Sequence, residues 1–168
     1  MKASSGQAVM GKPPENVIDN DHKSLFVMIG LSGNMKSTYI WLQLELEGYS
    51  EVERISIFNG DNDYQTSNVE VRVGNTSYDP FSTFKKQTAD ISKNPICGIY
   101  PDRVGRFKRF DIACNETLYG TFVSLRILEE KASSMNIAEV VVYGKSMYTF
   151  FDNSFISTKI KSYNIKLS

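Results

Sequence analysis

Tyr39-Ile40-Trp41-Leu42-Gln43-Leu44-Glu45-Leu46-Glu47 alternates apolar and polar residues almost without a break. Side chains along a strand point to opposite faces in turn, so Ile40, Leu42, Leu44 and Leu46 share one face and Trp41, Gln43, Glu45 and Glu47 the other. That pattern predicts an antiparallel strand with one side on a core and the other toward water. Gly48-Tyr49-Ser50 then reads as a turn. A second strand follows over 52–58, with Ile55 and Ile57 inward. Asn59-Gly60-Asp61-Asn62-Asp63 is a loop by composition. Val69, Val71 and Val73 alternate with Glu70 and Arg72, and Gly74-Asn75 ends that run. Further strands are expected at 106–113, 119–127 and 137–143. In the second of these, Phe122 alternates with Val123, Leu125 and Ile127, so it is buried on more than one face. No segment carries a long helical stripe. Many short strands separated by turn signals predict an all-β fold, an antiparallel β-sandwich or jelly roll.

The 168 residues suit one domain with one core, and 41% hydrophobic residues can fill it. Nine Tyr and ten Phe against one Trp favour strands. The sandwich is expected over 1–144. Residues 145–168 differ in character. They are rich in Ser, Thr, Asn, Phe and Lys, with Phe150, Phe151, Phe155, Ile156, Ile160, Ile165 and Leu167 scattered among them. This extension reads as an added strand, a docking arm or a linker, and as a route to homo- or hetero-oligomers.

The formal net charge is zero, so nothing global draws the chain to nucleic acid or to an anionic membrane. Residues 1–90 nevertheless hold eight Lys and Arg against twelve Asp and Glu, and the remainder holds eleven against seven. Arg103, Arg106, Lys108 and Arg109 form a basic knot, read here as a solvated strand face. No apolar run is long enough to span a membrane. The first residues, Met1 to Gly6, lack the apolar stretch of a leader. The chain is therefore intracellular, or secreted with a leader not visible in it. Two features favour an extracellular setting. Asn75-Thr76-Ser77 and Asn115-Glu116-Thr117 are N-glycosylation sequons. Cys97 and Cys114 lie close in sequence. A bridge between them would close a loop of about 16 residues, a stabilisation of about 3 kcal/mol; two buried free thiols are the other reading.

Catalytic machinery is not expected. His22 is the one histidine, and it sits in the polar stretch Asn20-Asp21-His22-Lys23 with no nucleophile motif about it. Zinc spacings and phosphate-binding glycine loops are missing, and Glu45 and Glu47 belong to the water-facing side of their strand. Asn16-Val17-Ile18-Asp19-Asn20-Asp21 does pack oxygen donors together, as calcium requires. Such a loop needs a further carboxylate from elsewhere, and Glu139 is the candidate; an Asx-rich turn is the plain alternative.

Several segments taken in order resemble the F-type (fucose-binding) lectins, within the broader discoidin-like jelly rolls. Lys2-Ala3-Ser4-Ser5 and Glu15-Asn16-Val17-Ile18-Asp19 are similar to that family's first strand and its Asn-x-x-Asp loop. Trp41-Leu42-Gln43-Leu44-Glu45-Leu46 resembles its Trp-x-x-Asp-Leu strand. Ser67-Asn68-Val69-Glu70-Val71-Arg72-Val73-Gly74 resembles its Asn-Phe-Glu-Val-Arg-Val-Gly strand. Asn94-Pro95-Ile96-Cys97-Gly98 resembles its Asn-Pro-Leu-Cys-Gly loop, with Cys114 in the place of the bridge partner. Gly120-Thr121-Phe122-Val123-Ser124-Leu125 and Ala138-Glu139-Val140-Val141-Val142-Tyr143-Gly144 resemble its last two strands. The match runs over 2–144.

The resemblance implies a disulfide between Cys97 and Cys114. It also implies a structural calcium ion stapling the early loop to the last strand, through Asn16, Asp19, Asp21, Ser32, Ala138 (by its backbone carbonyl) and Glu139; Ser24 could stand in for Ser32. The sugar site departs from the family. Its signature Arg-Gly-Asp-Cys-Cys-x-Glu-Arg is replaced by Asn59-Gly60-Asp61-Asn62-Asp63-Tyr64-Gln65, so both arginines and the cysteine pair are gone. Gly33-Asn34-Met35-Lys36 holds no histidine where the family has one. A degenerate ligand site at Asn59, Asp61, Asp63, Tyr64 and Gln65 is what remains. Two functions follow as expectations for a secreted, glycosylated, non-enzymatic module: protein interaction or adhesion on the kept fold, or binding of a glycan other than simple fucose.

Overall fold

The alternating stretch at 40–47 opens a single strand of 19 residues. In this computed structural model, residues 1–5, 12–29, 40–61, 66–77, 93–128, 134–152 and 155–161 are described. They form β1 (Lys2–Ser5), a 3-10 turn (Pro14–Ile18), β2 (Phe26–Ile29), β3 (Trp41–Asn59), β4 (Val69–Gly74), β5 (Ile96–Tyr100), β6 (Arg109–Ile127), β7 (Ser134–Asp152) and β8 (Phe155–Lys161). Every pairing is antiparallel.

Gly48-Tyr49-Ser50, expected to turn the chain, does not. The pairing of β3 with β6 jumps from Glu45↔Phe122 to Ser50↔Gly120, so β3 carries extra residues there and bends while staying bonded to the same neighbour. Below the bend, Trp41–Glu45 pairs with β6, and Leu42–Glu45 also pairs with β1; β6 continues to β4, and β4 to β5. Above it, Ser50–Asn59 lies between β6 and β7, with β2 beyond. One hydrogen-bonded network thus folds over into the two layers of an antiparallel β-sandwich jelly roll. The two strands expected at 106–113 and 119–127 are likewise one, β6. Between Val52↔Leu118 and Arg54↔Ala113 its residues 114–117 bulge outward, and Asn115 is exposed on that bulge. Close strand approach requires glycine at the crossing: a Cβ on Gly144 would collide with the Glu51 carbonyl.

Leu42, Leu44, Val71, Val73, Val123 and Leu125 meet Ile55, Ile57, Ile112, Val140 and Val142 in one core. Each such side chain contributes about 1.5–3 kcal/mol on burial. Trp41 and Gln43, expected on the water side, are buried. Gln43 can be buried because its amide donates to the Ser124 hydroxyl at 2.7 Å. Cys97 on β5 and Cys114 on β6 are disulfide-bonded, as expected. The bridge clasps the edge strand of one layer to a stretch of β6 that belongs to the other. β7 runs through residue 144 without a break. From Ser146↔Lys161 to Asp152↔Phe155 it pairs with β8, so β7 and β8 carry the sheet on beyond residue 144.

Candidate functional site

The oxygen-rich loop is held over β7 by its own turn. Pro13 and Pro14 preset the backbone for the 3-10 turn, and buried Val17 anchors it in the core. Beyond it, Asn20 takes a left-handed conformation (φ 61°), which Asn tolerates better than most residues. The Asp21 amide donates to Asp19 Oδ1 at 2.9 Å, and the Lys23 amide to Asp21 Oδ1 at 2.9 Å. Asn16 Nδ2 donates to the Leu25 carbonyl at 2.9 Å. At the centre stands Ser24. Its Oγ lies 3.1 Å from the Asn16 carbonyl oxygen, 3.0 Å from Asp19 Oδ1 and 2.8 Å from the Asp21 carbonyl oxygen. One hydroxyl proton serves one of these acceptors at a time, so oxygens outnumber donors there.

Glu139 approaches from below. It is 1% exposed, and neither carboxylate oxygen has a hydrogen bond of ordinary geometry. Burial, then the neighbouring Asp19 carboxylate, push its pKa up from 4.5 to about 7; the Asn20 backbone N–H opposes them weakly. A bulge sets this position: Phe58 pairs with Glu139 and Asn59 with Ile137, leaving Ala138 as the extra residue on β7. Asn16, Asp19 and Asp21 therefore gather round Ser24, and Asp19 lies against Glu139. Ser32 lies outside the described residues. Among the described residues no three His, Cys, Asp or Glu side chains converge, so any cation here would rely on backbone and hydroxyl oxygens as well as the two carboxylates.

A second buried carboxylate behaves oppositely. Glu70 on β4 is 3% exposed, and its Oε1 accepts from Arg72 Nε at 2.6 Å and Arg126 Nε at 2.5 Å. Burial alone would raise its pKa, but these two guanidiniums outweigh that and hold it below 4.5.

At the degenerate ligand site, Asn59 is buried and turned inward. Its Nδ2 donates to the Val104 and Gly105 carbonyls at 3.1 and 3.0 Å, and its Oδ1 accepts from Thr66 Oγ1 at 2.8 Å. Its side chain ties two loops together, with both amide hydrogens spent inside the fold. Asp61 is exposed beside it; Asp63, Tyr64 and Gln65 lie outside the described residues. Asn59 holds residues 101–108, a loop in which Arg103, Arg106 and Lys108 of the basic knot stand, while the strand expected from 106 begins at Arg109. The loop's Val104 amide donates to the Thr66 carbonyl at 2.9 Å, and its Phe107 amide to the Gly60 carbonyl at 3.1 Å. His22 is exposed, its ring tilted against Phe58 at 5.1 Å. Asn75 and Asn115 of the two sequons are both exposed.

No protein-family profile matches the sequence, and no characterised protein sequence does. Solved structures do match. The chain is similar to a fucolectin from the serum of striped bass, Morone saxatilis, at 20% identity over 87% of this chain and 47% of that one, with a TM-score of 0.66. It is similar to the family 32 carbohydrate-binding module of C. perfringens NanJ, solved with galactose, at 12% identity over 84% and 91% of the two chains, TM-score 0.60. The lectin domain of Lectinolysin, solved with Lewis B antigen, is 16% identical over 85% and 92%, TM-score 0.60. These likenesses establish the fold: an F-type lectin and discoidin-like β-sandwich. The chain spans about half the length of the striped bass fucolectin. No helix among the described residues is long and apolar enough to cross a membrane.

Proposed function

We propose that this chain is a non-enzymatic carbohydrate-binding module acting outside the cell, with a structural calcium ion. The observation that carries the reading is the shared fold: over more than four-fifths of its length the chain is similar to modules solved as lectins or with sugars bound. A fold alone hosts many functions, so the binding itself is the point to test. A glycan array probed with the whole chain in calcium is expected to give saturable binding to a subset of saccharides. Uniform background over the array would sink the reading. Disulfide and exposed sequons support the extracellular setting.

Calcium is supported by buried Glu139, which faces the Asp19 carboxylate and has no hydrogen bond of ordinary geometry. The ligands would be the Asn16, Asp21 and Ala138 carbonyls, the Asp19 and Glu139 carboxylates and the Ser24 hydroxyl. These are hard oxygen donors of the kind calcium takes. Bound there, the ion supplies positive charge to the Asp19 and Glu139 carboxylates and pins the 13–24 segment to β7.

A second reading, docking of a protein partner, is favoured by the β7–β8 pair. Beyond Ser146, β7 pairs with β8 alone among the described residues, which leaves a strand edge open to augmentation. Sedimentation of the whole chain against a version ending at Ser146 distinguishes it. Self-association lost on truncation supports an interaction edge, and a monomer in both forms counts against association between copies.

A further inference from the structure

Loop 101–108 is built to hold one aromatic ring outward. Phe107 is 72% exposed, the most exposed large apolar side chain among the described residues, and its φ is 54°. A bulky residue in the left-handed region is strained and persists only where its surroundings fix it. Here they do. Phe107 N–H is bonded to Gly60, the Lys108 carbonyl accepts from the Asn59 amide at 2.9 Å, and both the Asn59 side chain and Thr66 hold Val104. Val104 is the loop's buried anchor, so Phe107 is not needed for the core.

The surroundings of that ring are cationic. Between Pro101 and Phe110 the chain carries Arg103, Arg106, Lys108 and Arg109 against Asp102 alone, in a protein of zero net charge. Arg109 is engaged by Asp111 at 3.0 and 3.2 Å. Arg103 and Lys108 are exposed on the loop, with Asp61 the acid across the Gly60 contact; Arg106 is exposed as well but already has a partner. A rigid ring offers a stacking surface for the apolar face of a sugar. Guanidinium and ammonium groups beside it match a carboxylate or sulfate. One exposed ring is too little apolar surface for stable membrane anchoring, and among the described residues no basic stripe tracks a nucleic-acid backbone.

We propose that loop 101–108 is a recognition platform for an acidic saccharide, one bearing a uronate carboxylate or a sulfate, with Phe107 against the ring and Arg103 and Lys108 around the anionic group. It rests on the carbohydrate-binding reading above and specifies the ligand class.

The test is titration of the whole chain, in calcium, with a heparin-derived hexasaccharide and an oligogalacturonate. Neutral galacto-oligosaccharides and phosphatidylserine vesicles serve as comparison probes. At least one acidic saccharide is expected to bind, more weakly as salt rises. Phe107→Asn keeps a residue that tolerates the left-handed backbone, and is expected to weaken binding about tenfold. The double variant Arg103→Glu, Lys108→Glu is expected to abolish it. The double variant should melt like the parent, because its side chains are exposed, and Phe107→Asn at or slightly above it, because the left-handed backbone suits Asn better. Neutral saccharides bound and acidic ones not would overturn this inference while leaving the carbohydrate reading intact. No saccharide bound overturns both. Vesicle binding without saccharide binding assigns the loop to membranes, and acidic binding untouched by either variant places the site elsewhere.

Discussion

Glu70 and Glu139 are equally buried and electrostatically opposite. Glu70 lies between two guanidiniums supplied by its own sheet and is held ionised. Glu139 lies beneath a loop that sets another carboxylate, Asp19, beside it, and its proton is held to about pH 7. A buried carboxylate must be paired or protonated. The first is complete within the chain. The second is stable as a neutral acid, or as an anion only if a positive charge arrives from outside. The contrast separates a charge cluster that belongs to the fold from one that belongs to a ligand.

The largest expected effect is at the complete cluster. Glu70→Gln leaves Arg72 and Arg126 without their counter-charge and is expected to cost about 3–5 kcal/mol in urea unfolding, whether or not calcium is present. A cost that depends on calcium would erase the distinction between the two sites. Next comes pH. Without metal, Glu139 has a folded pKa of about 7, above its ordinary 4.5. The stability linked to its proton is therefore fully present below about pH 4.5 and lost as pH rises through 7, a change of about 3 kcal/mol. In chelator, the parent is expected to lose stability between pH 5 and pH 8 relative to Glu139→Gln. Calcium should restore the parent at pH 8 and do nothing for the variant. Superimposable pH curves for parent and variant would show that Glu139 is not the incomplete site. The smallest effect belongs to Asp19→Asn. Removing an exposed charge that faces Glu139 should alter metal-free stability by within about 1 kcal/mol, yet raise the calcium concentration needed for the melting shift. An unchanged calcium midpoint would take Asp19 out of the ligand set.

Local patterns were legible, and distant pairings were not. Alternation at 40–46 reports one strand face directly, since every inward residue there is buried. The continuity of β3 is invisible locally, because Gly48-Tyr49-Ser50 has the composition of a turn and only pairing with β6 keeps it extended. Asn16, Asp19 and Asp21 advertise a cation loop by their spacing. Glu139, far along the chain, is only a candidate by residue type until the resemblance pairs it with that loop, and the bulge at Ala138 that places it depends on register with β3. Ser24 was one of two serines in view; its central place follows from the fold of the 19–24 turn. The inward turn of the Asn59 amide is not legible in composition, which does not tell which way an amide points. The basic knot was visible, but the left-handed backbone that turns Phe107 outward among those charges has no sequence signature outside glycine and asparagine.

The bend in β3 also governs how the molecule comes apart. β3 and β6 each lend one end to each layer, and the Cys97–Cys114 clasp joins the layers a second time. No plane separates the layers without severing a strand that both of them need. Neither layer can melt while its partner persists, so unfolding is expected as a single all-or-none event. In a string of such modules under tension, each would hold at full length until it gave way whole.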